Sequence, residues 1–107
     1  DPFPVEVTDE SCTTHIIEND IAVLVDFYSS TCGPCMAMYD DYEDAALSFG
    51  LKVRCLKINA DTYQKGAKEY GVGELPTIIT FKKGQGVKRI SSQHARAKLR
   101  LWAESLI

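Results

Sequence analysis

The fold of this chain is decided by AVLVDFY at residues 22–28 and CGPC at residues 32–35. The first segment is nearly continuous apolar sequence rich in β-branched and aromatic residues, which is typical of a strand buried on both faces in parallel pairing. Pro34 stands at a position suited to the first turn of a helix. The two segments together predict a buried strand that leads directly into a helix with a Cys-x-x-Cys pair at its start.

The predicted helix continues to Gly50, a residue that commonly ends helices. One of its faces is apolar, because apolar residues recur at helical spacing: Met38, Tyr42, Ala45, Ala46 and Phe49. A second buried strand is predicted over Lys52–Ile58. Strand, helix and strand within about 35 residues form a right-handed βαβ unit.

The rest of the chain adds elements on both sides of this unit. The N-terminal part predicts an edge strand over Val5–Thr8 and a helix capped by Thr8 or Asp9 and ending near Glu18, with Ile16 and Ile17 facing inward. The C-terminal part predicts a short helix over Thr62–Tyr70, a strand over Pro76–Phe81, a turn over Lys83–Gly86, a strand over Val87–Ile90 and a helix over Gln93–Leu106. We therefore expect one α/β domain over residues 1–107, a mixed sheet of about five strands flanked by four helices.

Composition excludes several classes of protein. The chain has 107 residues, of which 45% are hydrophobic and 25% charged, as in an ordinary soluble domain. The longest apolar run, Ile21–Val25, is too short to cross a bilayer, so no membrane association is expected. The basic residues neither form a run nor alternate with aromatic residues, so nucleic-acid binding is not expected. We expect a monomer.

The Cys32–Cys35 pair indicates redox chemistry. A helix N-terminus presents free N–H groups and a partial positive charge, which stabilise the thiolate that attacks disulfides. Gly33 is expected to permit the tight backbone between the two sulfurs. The alternative, half of a zinc site, would need further ligands. The remaining candidates are scattered singles, so no metal is expected: Cys12, His15, Cys55 and His94.

These segments closely resemble the core signature of the thioredoxin family. The resemblance extends in the right order and spacing over nearly the whole chain, through residues 57–61 (KINAD), 70–72 (YGV), 75–77 (LPT) and 81–84 (FKKG). It implies the thioredoxin fold and a protein-disulfide reductase that works by dithiol–disulfide exchange. Cys32 would be the nucleophile and Cys35 the resolving cysteine, joined in the oxidised state by a Cys32–Cys35 disulfide.

Asp26 is anomalous because a carboxylate in an apolar strand is costly to bury. It could point into solvent at the strand end. If it is buried instead, desolvation raises its proton affinity, and the resemblance implies a proton acceptor that helps to deprotonate Cys35. Lys57 matches the family's lysine near that aspartate, and an exposed lysine at the strand end is the alternative interpretation.

The resemblance also predicts a substrate-binding surface. Pro76, which could be simple loop punctuation, is expected to follow Leu75 through a cis bond and to face the cysteine pair. The backbone before it would then be free to pair with an extended substrate. Gly33, Pro34, Leu75 and Pro76 are the expected substrate-binding residues.

Several residues depart from the family pattern around the cysteine pair: Tyr28, Thr31, Met36, Asp40, Glu74 and Ser91-Ser92. None removes a catalytic group, but together they reshape the surface that substrates and a reductase would contact. Asp40 replaces a common helix-kinking proline, so a straighter helix is expected. Trp102 is the only tryptophan, and its fluorescence is predicted to respond weakly to oxidation of the pair.

Cys12 and Cys55 are expected to be buried free thiols, with a structural disulfide between them as the alternative.

The resemblance implies a set of partners and a location. Substrates would be disulfide-containing proteins, an NADPH-dependent thioredoxin reductase would restore the dithiol, and the chain itself would bind no cofactor. With no targeting segment in the sequence, a cytoplasmic location is expected, and a secreted, periplasmic or organellar one is the alternative. Two other functions remain open: an extracytoplasmic thiol–disulfide oxidoreductase or isomerase, and a non-catalytic binding or chaperone module.

Overall fold

The computed structural model describes residues 4–91 and Leu99. A five-stranded mixed sheet has the strand order β1-β3-β2-β4-β5. Its strands are β1 (Val5–Glu6), β2 (Ala22–Tyr28), β3 (Val53–Asn59), β4 (Thr77–Lys82) and β5 (Gln85–Ser91). The helices among the described residues are α1 (Asp9–Glu18), α2 (Gly33–Phe49) and α3 (Gln64–Glu69).

Strand β2 is the central strand of the sheet. It pairs in parallel with β3 on one side and antiparallel with β4 on the other. Six of its seven residues are buried, and the seventh, Tyr28, is half-buried. The continuous apolar pattern of β2 therefore follows from a position in which both edges are paired and both faces are covered.

The two faces of the sheet carry separate hydrophobic clusters. One face packs against α2 and includes Leu24, Met38, Tyr42, Phe49 and Leu99. The other packs against α1 and α3 and includes Ile16, Val25, Phe27, Leu56 and Phe81. Because neighbouring residues of a strand point to opposite faces, β2 contributes alternately to both clusters.

The predicted elements are largely confirmed. Helix α1 begins at the expected residue, and Thr8 caps it through a reciprocal pair of hydrogen bonds with Ser11. Helix α2 runs without a break past Asp40 to the Gly50 cap. The inward prediction is correct for Ile16 and wrong for Ile17, which is 64% exposed because it lies one residue beyond the buried stripe of α1. The predicted fourth helix, over Gln93–Leu106, lies outside the described residues except for the buried Leu99.

The Tyr42 side chain links α2 to the two central strands through its hydroxyl. Its ring is buried, and its hydroxyl donates a hydrogen bond to the Leu56 carbonyl at 2.7 Å and lies 3.3 Å from the Leu24 carbonyl. Leu24 is on β2 and Leu56 is on β3. The hydroxyl therefore joins the helix that carries the cysteine pair to both strands beneath it.

We expect Tyr42→Phe to lower the free energy of unfolding by about 1–3 kcal/mol, because it leaves a buried carbonyl without its donor. Urea unfolding followed by circular dichroism measures the change. The matched control is Tyr39→Phe, which removes a hydroxyl from a 45% exposed ring and should cost less than about 0.5 kcal/mol. Equal stability losses in the two variants would contradict the bridging role of Tyr42.

Candidate active site

Cys32 is the N-cap of α2, and Cys35 lies in the first turn of the helix. The Cys35 backbone N–H donates to Cys32 Sγ at 3.2 Å, and the Met36 N–H donates to the Cys32 carbonyl at 3.1 Å. The two cysteines form a disulfide with their Cα atoms 5.2 Å apart. A sulfur at this position receives an N–H hydrogen bond and the positive end of the helix dipole, both of which favour the thiolate once the bond is reduced.

The two residues between the cysteines are Gly33 and Pro34, and the structure confirms the expected position of Pro34 only. Pro34 lies in the first turn of α2, as predicted. The tight backbone that Gly33 is expected to permit does not require a glycine. Its φ angle is not in the positive range, and a Cβ atom added there would contact nothing within 4 Å. Gly33 and Pro34 are both exposed, so this segment presents a low, uncharged surface beside the sulfurs.

The segment before β4 approaches the pair from the other side. The Leu75–Pro76 peptide bond is cis, which confirms the prediction. The Leu75 carbonyl oxygen lies 3.6 Å from Cys32 Sγ. Pro76 is buried and Leu75 is half-buried. The fold thus brings residues separated by more than forty positions to the same sulfur.

A hydrogen-bond network that the sequence did not reveal holds the loop before Cys32. Ser29 is only 4% exposed, and its hydroxyl donates to the Asp61 carboxylate. The Thr31 N–H donates to Ser29 Oγ, and the Cys32 N–H donates to the Ser29 carbonyl, both at 3.2 Å. Residues 29, 31 and 61 therefore fix the backbone entering the helix. A serine directly after an apolar strand was the signal for this network, but its partner is known only from the tertiary structure.

Asp26 lies buried in the face of the sheet that α2 covers. It is 7% exposed, and its Oδ1 atom has no hydrogen-bond partner among the described residues. Burial raises the pKa of its carboxyl to about 7, the charge of Lys57 lowers that pKa, and the charge of Glu6 raises it. The interpretation of Asp26 as a solvent-facing strand end is therefore wrong.

Lys57 lies directly opposite Asp26 in the β2–β3 register, as its nearest cross-strand neighbour. It is half-buried, and its Nζ atom lies 4.7 Å from the centre of the Tyr39 ring. This distance is within the range of a cation–π contact. The structure favours the interpretation in which Lys57 acts on Asp26 over that of an exposed strand-end lysine.

Cys12 and Cys55 are buried free thiols. Cys12 belongs to the cluster beneath α1, and Cys55 belongs to the cluster on the opposite face of the sheet. The alternative of a structural disulfide between them is therefore wrong. Burial raises the pKa of Cys12 to about 11 and that of Cys55 to about 12.

The described part of the chain holds neither a cluster of metal-ligating side chains nor a membrane-spanning helix. Within residues 4–91 and Leu99, no group of three or more His, Cys, Asp or Glu side chains could hold a metal ion. None of the helices in the same residues is long and apolar enough to span a membrane. Ser92, His94 and Trp102, which entered the sequence interpretation, lie outside the described residues.

Comparisons with known proteins agree with this geometry. The family model described as Thioredoxin matches residues 3–105. The thioredoxin of Rickettsia prowazekii is 38% identical over 79 residues, 74% of this chain and 75% of its own. That of Mycobacterium tuberculosis is 36% identical over 95 residues, 89% and 82% of the two chains. The solved structure of a mutant thioredoxin from Halobacterium salinarum has a TM-score of 0.84 at 29% identity. The match covers 98% of this chain and 91% of that chain.

The buried Asp26 carboxyl predicts a stability that depends on pH. Below about pH 4 the carboxyl is protonated in both the folded and the unfolded chain, so burial of its charge costs nothing. Between its ordinary value of 3.8 and about 7 only the folded chain keeps the proton. Stability is therefore lost as the pH rises through this range. The full loss is about 4 kcal/mol at 1.4 kcal/mol per pH unit.

We expect Asp26→Asn to remove this pH dependence. Urea unfolding of the oxidised protein should show the variant more stable than the wild type at pH 8, by several kcal/mol, with the gain shrinking toward pH 4. Asp44→Asn, which changes an exposed carboxylate of α2, is the matched control and should show no such gain. A difference between Asp26→Asn and the wild type that is the same at pH 4 and pH 8 would count against a buried, proton-retaining Asp26.

Proposed function

The chain belongs to the thioredoxin family, and on that premise we propose that Cys32 is the nucleophile and Cys35 the resolving cysteine of its catalytic cycle. The chain is a thiol–disulfide oxidoreductase that reduces disulfide bonds in proteins. The observation that carries the assignment of roles is the N-cap position of Cys32. Its sulfur accepts a helical N–H, whereas Cys35 is buried inside the first turn.

The cycle consists of two thiol–disulfide exchanges. The Cys32 thiolate attacks one sulfur of the substrate disulfide, that bond breaks, and the released sulfur leaves as a thiolate that takes a proton. A mixed disulfide now joins Cys32 to the substrate. The Cys35 thiolate then attacks Cys32 Sγ, and the second substrate sulfur leaves. The substrate gains two electrons and two protons, and the Cys32–Cys35 pair ends as a disulfide.

Asp26 is proposed as the acceptor of the Cys35 proton in the second exchange. Both residues are buried between the sheet and α2. A carboxyl with a pKa of about 7 is close to half-ionised at neutral pH, so it can accept a proton in one step and release it in another. Lys57 is proposed to modulate this acceptor, because its positive charge favours the ionised form of Asp26.

The substrate is proposed to bind across Gly33, Pro34, Leu75 and Pro76. The first two are exposed, so a partner can approach the sulfurs closely. The Leu75 carbonyl lies beside Cys32 Sγ, where it can accept a hydrogen bond from an extended substrate segment. Main-chain pairing of this kind suits many substrates, because its hydrogen bonds are made to the backbone of the partner and depend little on the partner's side chains.

The oxidised pair needs an external source of two electrons to return to the dithiol. We propose an NADPH-dependent thioredoxin reductase as this partner, with no cofactor held by the chain itself. A cytoplasmic location is proposed, because a reductant of protein disulfides suits a compartment that keeps thiols reduced. A reduction potential near the roughly −270 mV of thioredoxin would agree with a reductant, and a much higher potential would favour an extracytoplasmic oxidoreductase.

We expect Cys35→Ser to trap the mixed disulfide, because Cys32 can still attack but no thiol resolves the product. Incubation with oxidised insulin followed by non-reducing electrophoresis and mass spectrometry measures the adduct. Cys32→Ser is the matched control and should form no adduct at position 35, since Cys35 is 3% exposed. Full turnover by Cys35→Ser would overturn the proposed division of roles.

We expect Asp26→Asn to slow the second exchange by at least about 10-fold near pH 7, because the Cys35 proton loses its acceptor. Rapid mixing of the reduced variant with a chromogenic disulfide separates formation of the mixed disulfide from its resolution. Formation should be nearly unchanged in the variant, which serves as the internal control. If both exchanges keep their wild-type rates, Asp26 is not the acceptor.

A further inference from the structure

Three charged residues form a row across three neighbouring strands. Lys57 on β3 lies opposite Glu6 on β1 and also opposite Asp26 on β2. Residues in direct register point to the same face of a sheet, so one lysine stands between two carboxylates. The row runs from the exposed Glu6 through the half-buried Lys57 to the buried Asp26.

Two tyrosines complete the surroundings of this lysine. Tyr28 follows Asp26 by two residues on the same face of β2, and its hydroxyl donates a hydrogen bond to Glu6 Oε1. Because β3 lies between β1 and β2, this bond spans the strand that carries Lys57. On the helix side, the Tyr39 ring lies 4.7 Å from Lys57 Nζ. The Tyr39 ring thus contacts the ammonium, while Glu6, which Tyr28 holds, and Asp26 are in register with Lys57 on the two neighbouring strands.

A lysine that is shared between two carboxylates stabilises each less than it would stabilise one alone. Asp26 and Glu6 are about two strand spacings apart, roughly 10 Å, and the charge of Glu6 raises the pKa of the Asp26 carboxyl. Lys57 lies between them in the sheet, in register with both. Because Lys57 lies between the two carboxylates, Glu6 can also act on Asp26 through the position of the lysine ammonium.

We propose that Glu6, fixed by Tyr28, draws the Lys57 ammonium away from Asp26 and is thereby a positioning residue for the proton transfer from Cys35. This inference rests on the proposed role of Asp26. It extends that role by adding an exposed residue of the edge strand to the control of a buried acid. The cation–π contact with Tyr39 restrains the same ammonium from the helix side.

Other ionisable groups near Asp26 do not account for the same effect. Helix α2 presents Cys35, Tyr39 and Tyr42, and β4 presents the apolar Ile78 in register with Asp26. Burial raises the pKa of Tyr42 and of Tyr28 above the ordinary phenol value, so both phenols stay neutral near pH 7. Burial likewise raises the pKa of the neighbouring Cys55 thiol on β3, to about 12. Among the described neighbours, Glu6 and Lys57 carry the charges that act on Asp26 near neutral pH.

The test follows the Asp26 carboxyl by carbon-13 NMR through a pH titration of the oxidised protein. Glu6→Gln keeps an acceptor for the Tyr28 hydroxyl but removes the charge. It should lower the titration midpoint of Asp26 by about half a pH unit, because Lys57 then serves Asp26 alone. Lys57→Met should raise the midpoint by about one unit. Glu10→Gln, an exposed acid on α1 at the other face of the sheet, should leave the midpoint unchanged.

The double variant Glu6→Gln/Lys57→Met decides whether Glu6 acts through the lysine. If it does, the shift caused by Glu6→Gln is largely lost in the Lys57→Met background, since the intermediary is absent. A shift by Glu6→Gln that persists in full in the Lys57→Met background would overturn the proposal in favour of direct repulsion. No shift by Glu6→Gln in the wild-type background would overturn it as well. Unfolding transitions of each variant verify that the fold is retained.

The rate of the second exchange separates this inference from the proposed function. The pH profile of resolution in Glu6→Gln should move to lower pH by the same half unit as the NMR midpoint. If the NMR midpoint moves and the rate profile does not, the catalytic role of Asp26 fails while the control by Glu6 stands. If the rate of Asp26→Asn falls but Glu6→Gln moves neither readout, the inference fails and the proposed function stands.

Discussion

The pairing of β2 with a neighbour on each side is the constraint on which the rest of the structure depends. This strand carries Asp26, and its carboxyl end leads through three residues to Cys32. Its parallel neighbour β3 brings Lys57 into register with Asp26, and its antiparallel neighbour β4 begins next to Pro76. The hydrogen bonds of this central strand therefore set the positions of the Cys32 sulfur, the Asp26 carboxyl, Lys57 and the Leu75 carbonyl.

The same arrangement accounts for an energetic conflict inside the protein. A carboxyl group is buried where an apolar side chain would pack without desolvation cost. Its Oδ1 atom has no hydrogen-bond partner among the described residues, so the protein stabilises its charge chiefly through Lys57. A fully compensated carboxylate would be a weak base at neutral pH. The incomplete compensation keeps the pKa of Asp26 at about 7, and its proposed role as proton acceptor depends on this value.

Much of this fold could be predicted because local and long-range signals coincide. The apolar run of β2, the Thr8 cap, Pro34 and Gly50 each restrict the backbone by their own chemistry, and the observed boundaries agree within one or two residues. Ile17 shows the limit of periodicity, since it adjoins a buried residue but lies just outside the stripe. Gly33 shows another limit, because a glycine between two cysteines suggests a backbone that needs glycine, whereas a Cβ atom would fit there.

The side-chain contacts of the site that could not be predicted depend on which strands are neighbours in the sheet. Nothing in the local sequence around Glu6 indicates that it receives a hydrogen bond from Tyr28, because the contact requires the strand order β1-β3-β2. The bond between Ser29 and Asp61 likewise joins residues 32 positions apart. Recognition of the cysteine pair located the chemistry, whereas the contacts that adjust it come from tertiary packing alone.

The burial of Cys12 and Cys55 on opposite faces of the sheet has a consequence for how the protein handles electrons. A thiol pressed into a hydrophobic core and held protonated does not take part in exchange, and two such thiols on separate sides of a sheet never meet. No third sulfur can intercept the mixed disulfide and divert it into a wrong internal bridge. Of the four cysteines, the Cys32–Cys35 pair is therefore left to carry the one pair of electrons that each cycle transfers.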